Sequence, residues 1–202
     1  MKIERKNTPI DKLKRAMYIG EQYWDTIRYD IPRFLKNLWL FRKDLYNYRW
    51  YSGQHAVLPF MKTALMDMAA KIDERGSEVE SSKSKKVMKM WRAAKLMEHF
   101  IEENFVELAE KELGEIIHND FEFEDAPDYP GCYQLVDNDT PEEKDHNTKV
   151  FARACEIEES MWSELWNILK GQNPAEIKSL PEIDEDAYDK WYNGSGLRNW
   201  WD

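Results

Sequence analysis

The stretch Ser77–Gly114, SEVESSKSKKVMKMWRAAKLMEHFIEENFVELAEKELG, decides how the rest of the chain is read. Within it Met90, Ala94, Met97, Ile101, Phe105 and Leu108 recur every three or four residues, the repeat of one face of an α-helix. Val87, Trp91 and Phe100 widen that face, as a helix needs when it packs against more than one neighbour. Lys86, Lys89, Arg92, Lys95, Glu102, Glu103, Glu107 and Glu110 fall on the opposite side. Ser77 followed by Glu80 fits a capping box, Gly76 suits a left-handed end to the preceding helix, and Gly114 suits a stop. The spacing predicts one central helix over 77–114, roughly 55 Å long if unbroken, with Glu103–Asn104 as the place where a second segment could begin.

The neighbours follow from that helix. Val57, Met61, Ala64, Leu65, Met68 and Ile72 predict a helix ending at Gly76, with Pro59 in or near its first turn. The short link Arg75-Gly76-Ser77 makes it an antiparallel partner of the central helix. Upstream, Thr8-Pro9 and Asp30-Ile31-Pro32 read as two helix starts. Ile10, Leu13, Met17, Trp24 and Ile27 give the first an apolar face; Phe34, Leu35, Leu38, Phe41, Leu45 and Tyr48 give one to the second. Downstream, Asn119–Asp139 loses the helical period and predicts a long ordered loop, with a short strand pair around Phe121–Phe123 and Tyr133–Val136. Loops of such length in compact domains are often functional. Thr140-Pro141-Glu142-Glu143 opens another helix, carried by Val150, Ala154, Ile157, Met161, Leu165 and Ile168 to Gly171, with Trp162 and Trp166 broadening its buried stripe. After Pro174 the chain is irregular, save for a short helix from Asp184 through Tyr188 and Trp191 to Tyr192. The expected fold is all-α: a bundle of about five helices around the central one in a domain 1–171, which includes the 119–139 loop, and an aromatic tail 172–202 docked on it.

Composition bounds the function. A hydrophobic fraction of 42% with 13% aromatic residues supports a packed core rather than disorder. No run of 18 apolar residues exists, so no membrane span and no membrane partner are expected. The first residues lack an apolar stretch after their charges, which argues against a secretory signal. Cys132 and Cys155 make neither a disulfide framework nor a zinc site, as expected of a reducing cytosol. The net charge of −10 is uneven: residues 119–202 hold 21 Asp and Glu against 7 Lys and Arg, and residues 1–118 hold 18 against 22. The acidic part is either a solvated face or a surface for a basic partner.

Signals for catalysis are sparse. No phosphate loop, dinucleotide fingerprint or nucleophile elbow is present. Glu115–His118 and Glu143–His146 repeat the Glu-x-x-His spacing of carboxylate di-metal bundles, but both sit at helix ends beside the loop. Glu112–Glu115 and Glu142–Asp145 are spaced like the acids that hold magnesium in all-α nucleotide pyrophosphohydrolases, where the pairs lie inside packed helices. That enzymatic alternative requires the four carboxylates to converge. The leading expectation is a non-enzymatic protein without a cofactor. It would bind a protein partner through Phe121, Phe123 and Tyr129 of the loop or Trp191, Trp200 and Trp201 of the tail, unless the tail tryptophans dock on the helices. Arg33, Arg42 and Arg49 could instead hold the phosphates of a small nucleotide-like ligand. Basic residues interleaved with Trp39, Tyr46 and Trp50 can also bind nucleic acid, which the overall acidity disfavours.

Three stretches carry a resemblance: Arg33-Phe34-Leu35-Lys36-Asn37-Leu38-Trp39 with Phe41-Arg42-Lys43-Asp44-Leu45, the lysine-rich Ser84–Met97, and Trp191-Tyr192-Asn193-Gly194-Ser195-Gly196 with Trp200-Trp201-Asp202. Together they resemble small helical proteins encoded by tailed bacteriophages, over about half the chain. That family carries no established activity. The resemblance implies a phage-encoded protein acting in the host bacterial cytoplasm or in a virion.

Overall fold

The computed structural model describes residues 9–119, 121–126, 129, 131–173, 175–176 and 185–200. Thr8, Asp184 and Trp201 lie outside them. The fold is all-α with one two-stranded sheet. The chain divides into two compact units, 1–49 and 50–202.

The N-terminal unit contains α1 (Pro9–Asp25), a π-turn (Thr26–Asp30), α2 (Ile31–Leu40) and α3 (Arg42–Asn47). Asp30 was expected to open a new helix, yet Asp25, Asp30 and Ile31 all keep right-handed helical dihedrals. The reason is Pro32, whose ring clashes with the carbonyl one turn back and which has no N–H to donate. Widening the turn, so that Ile31 N–H reaches Thr26 O, admits the proline without breaking the helix. The expected continuous helix 32–48 does break, at Phe41. There the Arg42 guanidinium donates to Trp39 O at 2.6 Å and lies 4.0 Å from the Trp39 ring centre, taking a carbonyl that the kink leaves without its helical partner.

In the second unit α4 (Gly53–Arg75) and α5 (Glu80–Glu102) form an antiparallel hairpin. Lys62 Nζ–Glu98 Oε1 (2.5 Å) ties its middle, and Gln54 Nε2–Glu103 Oε1 (2.5 Å) its open end. Pro59 falls in the second turn of α4, near its start. The central helix starts two residues later than the capping-box reading: Val79, not Ser77, stands at its N-cap, without a side-chain bond, and Gly76 has φ −58°, not a left-handed value. It also ends at Glu102. Glu103 takes the left-handed conformation (φ 52°), and α6 (Phe105–Leu113) begins anew. Asn104 makes no cap with its side chain; its Oδ1 meets His99 Nδ1 at 2.9 Å, holding the break from the α5 side.

The strands β1 (Phe121–Asp125) and β2 (Tyr133–Asp137) pair antiparallel with Phe123 opposite Leu135, where the sequence predicts them. α7 (Pro141–Lys170) has the expected capping box between Thr140 and Glu143 and ends at Gly171. It runs antiparallel to α6, with Arg153 Nε on Glu112 Oε2 at 2.7 Å and Asn147 bonded to the Ile117 backbone at both N–H and C=O. The core is built from Leu65, Ala69 and Ile72 of α4, Met90, Leu96, Met97 and Phe100 of α5, Phe105 and Ala109 of α6, and Val150, Leu165 and Ile168 of α7. Two sequence expectations are corrected here. Trp166 is exposed, and Trp162 only half-covers itself by lying 4.2 Å from the Phe100 ring. Lys86, which the spacing puts on the side opposite the apolar face, is buried and paired with Glu78.

Candidate binding surfaces

The C-terminal segment is part of the core. Its helix α8 (Glu185–Trp191) is pinned to α5, where Lys85 Nζ donates to Asp189 O (2.6 Å) and Oδ1 (3.0 Å) and Ser81 Oγ adds a third bond. Lys85 and Ser81 together hold the Asp189 carboxyl below its usual range. Gln172 clamps the next turn, donating to Trp191 O and accepting from Asn193 N. Gly194 (φ +85°) then passes so close to the backbone of Lys85 and Lys86 that a Cβ there would overlap it. Trp200 Nε1 donates to Gly194 O at 2.7 Å, and its ring lies in the core. Tyr192 is buried beside Tyr188, ring centres 5.6 Å apart, and burial pushes its hydroxyl well above the ordinary tyrosine range. Trp200 therefore cannot present itself to a partner, and Trp191 is half-buried; of the two uses considered for the tail, docking is the one observed for both Tyr192 and Trp200. Trp201 lies outside the described residues.

Beside this clamp an open cleft of about 570 Å³ separates Lys89 of α5 from Ser160, Ser163 and Asn167 of α7, closed at one end by Asn193 and Ser195. Glu164 on its wall is held by a two-bond pair with Arg92 (2.8 and 2.6 Å), which keeps that carboxyl below its usual range. The lining is polar apart from Ile168, so the cleft offers a ligand little apolar burial.

Several of the acids near the hairpin are engaged with separate partners. Glu112 bonds Arg153, which lowers its carboxyl from the usual range. Asp145 pairs with Lys149 at 2.6 Å, and Glu143 receives the Thr140 backbone N–H and the Asn119 amide. His146 meets Glu115 through the backbone carbonyl at 3.0 Å, not the carboxylate; His118 and Glu142 are exposed. Among the described residues no group of three or more His, Cys, Asp or Glu is arranged to hold a metal ion. Phe123 and Tyr129 of the hairpin region are exposed, as a contact surface requires.

The N-terminal unit carries many of the exposed large hydrophobic side chains. No described side chain from Met17 to Arg49 is buried. In α2, Ile31, Phe34, Leu35 and Leu38 fall on one side, and Phe34 is 62% exposed, Trp39 69%. Arg33 and Lys36 fall on the other side. Arg33 is bonded to Asp30 at 2.7 Å and Arg42 to Trp39, so these two arginines are used locally. The sequence reading took the stripe as a core face and so missed it as a surface. The available signal was the opposing row of bases beside an unusual density of tryptophan and tyrosine.

In comparisons with known proteins, the chain matches no protein-family model, no curated protein and no solved structure.

Proposed function

We propose that this chain is a non-enzymatic binding protein, an accessory protein of a tailed bacteriophage, and that its working surface is the N-terminal helical unit. The observation that carries this reading is the exposed stripe Ile31–Phe34–Leu35–Leu38 with Trp39 at its edge. Monomeric proteins rarely leave a contiguous apolar patch of such size in water unless something covers it. The apolar face has the i, i+3, i+4, i+7 spacing by which amphipathic helices dock. The phage origin rests on the resemblance of the 33–45, 84–97 and C-terminal stretches, and so does action in the host cytoplasm or virion.

The test uses the intact chain and Phe34→Glu/Leu38→Glu, both immobilised and exposed to bacterial lysate, with bound proteins and lipids identified by mass spectrometry. Both substituted side chains are exposed, so the fold survives the change. Loss of the captured material in the variant is expected. Equal capture by both chains would remove the N-terminal unit from the function. A parallel assay of nucleotide hydrolysis with magnesium is expected to show no turnover, and turnover abolished by Glu112→Gln would reverse the non-enzymatic reading.

A further inference from the structure

We infer that the N-terminal unit lies in the surface of an anionic lipid bilayer, with α2 parallel to it. The inference rests on the proposed role of that unit as the binding surface and names what it binds. At about 100° per residue, Ile31, Phe34, Leu35 and Leu38 occupy an arc of roughly 100°, with Arg33 and Lys36 opposite. Ten residues of helix measure about 15 Å, half the thickness of the hydrocarbon core. Among the described residues no helix is long and apolar enough to cross a membrane. A helix of this kind, apolar and aromatic on one side and basic on the other, is the form that lies in the interface plane.

Charge selects the lipid. Residues 1–49 carry 12 Lys and Arg against 6 Asp and Glu, whereas residues 50–202 carry 17 against 33. An anionic surface therefore attracts the N-terminal unit and repels the remainder of the chain, which fixes which part engages. The aromatics select a bilayer over other polyanions. Trp39 is exposed at the edge of the stripe, and Tyr29 and Tyr46 are exposed outside it. The headgroup region takes tryptophan and tyrosine over a range of depths because each ring has an apolar body and a polar tip. Nucleic acid satisfies the bases but offers no apolar phase for Ile31, Leu35 and Leu38.

The experiment is co-sedimentation of the full chain with phosphatidylcholine vesicles, with and without phosphatidylglycerol, across salt concentrations. Binding to the anionic vesicles is expected, at least tenfold weaker on phosphatidylcholine alone and weaker at high salt. Phe34→Glu/Leu38→Glu is expected to abolish it. Lys36→Glu reverses a charge near the surface and is expected to weaken it by more than the roughly fivefold attributable to one base. Failure to bind anionic vesicles overturns the lipid assignment. If the double glutamate variant then still loses a protein or nucleic-acid partner from lysate, or changes the oligomeric state, the N-terminal unit remains the binding surface with a different occupant. If it loses nothing in any assay, both readings fail.

Discussion

Gly194 and Lys86 show how single residues hold this fold. Gly194 combines a positive φ with a backbone crossing that leaves no room for a Cβ. Gly194→Ala must therefore both strain the turn and push the segment off α5, and about 2–4 kcal/mol of destabilisation is expected in urea unfolding. A change within about 0.5 kcal/mol would show that the crossing is not maintained in solution. Lys86 is 2% exposed and its ammonium pairs with Glu78, whose second carboxylate oxygen is buried without a hydrogen bond. Removing the cation by Lys86→Ala leaves that carboxylate uncompensated, at a cost of about 3 kcal/mol. The double variant Lys86→Ala/Glu78→Ala should lose less than the sum of the two single variants, by at least 1 kcal/mol in a double-mutant cycle. Additive losses would mean that the pair is not coupled.

Between elements, carboxylates bonded to bases carry several of the contacts, and this makes the assembly acid-sensitive. Lys62 lowers the Glu98 carboxyl, Arg92 lowers Glu164, and Arg153 lowers Glu112. A carboxyl depressed on folding contributes stability that is complete above its unfolded pKa and is lost as pH falls through its folded one. Stability is thus expected to be level from neutral pH down to the ordinary carboxylate range and to fall below it. Glu164→Gln should flatten that fall, and an unchanged acid limb would remove the α5–α7 pair from the explanation. The element scale is also where the sequence was most informative. α7 was legible from end to end because proline, capping box, period and terminal glycine agree. The strand pair was legible because Phe121–Phe123 and Tyr133–Val136 stand apart from any helical repeat. The break at Glu103 was legible because Asn104 can start a second segment, whereas the π-turn before Pro32 and the kink at Phe41 were harder to read, since neither has a glycine to mark it. Lys86 and Trp166 were assigned to the wrong surroundings for a shared reason: periodicity gives the face of a helix, but not which faces acquire neighbours. The same gap hid the exposed apolar face, since an apolar stripe over 31–38 reads alike whether a core or a partner covers it.

At the scale of the whole molecule, the charge and the apolar surface are divided between the two units. The second unit has a core that includes Trp200, with Tyr192 also buried, while none of the described side chains from Met17 to Arg49 in the N-terminal unit is buried. Truncation before Tyr192 should consequently act on stability and not on recognition. The shortened chain is expected to aggregate or melt at least 8 °C lower, since a buried tryptophan alone is worth about 3–5 kcal/mol. A truncated chain as stable as the intact one would mean that the tail does not dock. Recognition is proposed to lie in the N-terminal unit, and amide hydrogen exchange on the intact chain, with and without anionic vesicles, tests this most directly. The expected result is slower exchange over 31–47 on adding vesicles, with 53–170 unchanged and the effect absent in Phe34→Glu/Leu38→Glu. Protection that appears in 53–170 instead, or that persists in the variant, would contradict the assignment of binding to the N-terminal unit.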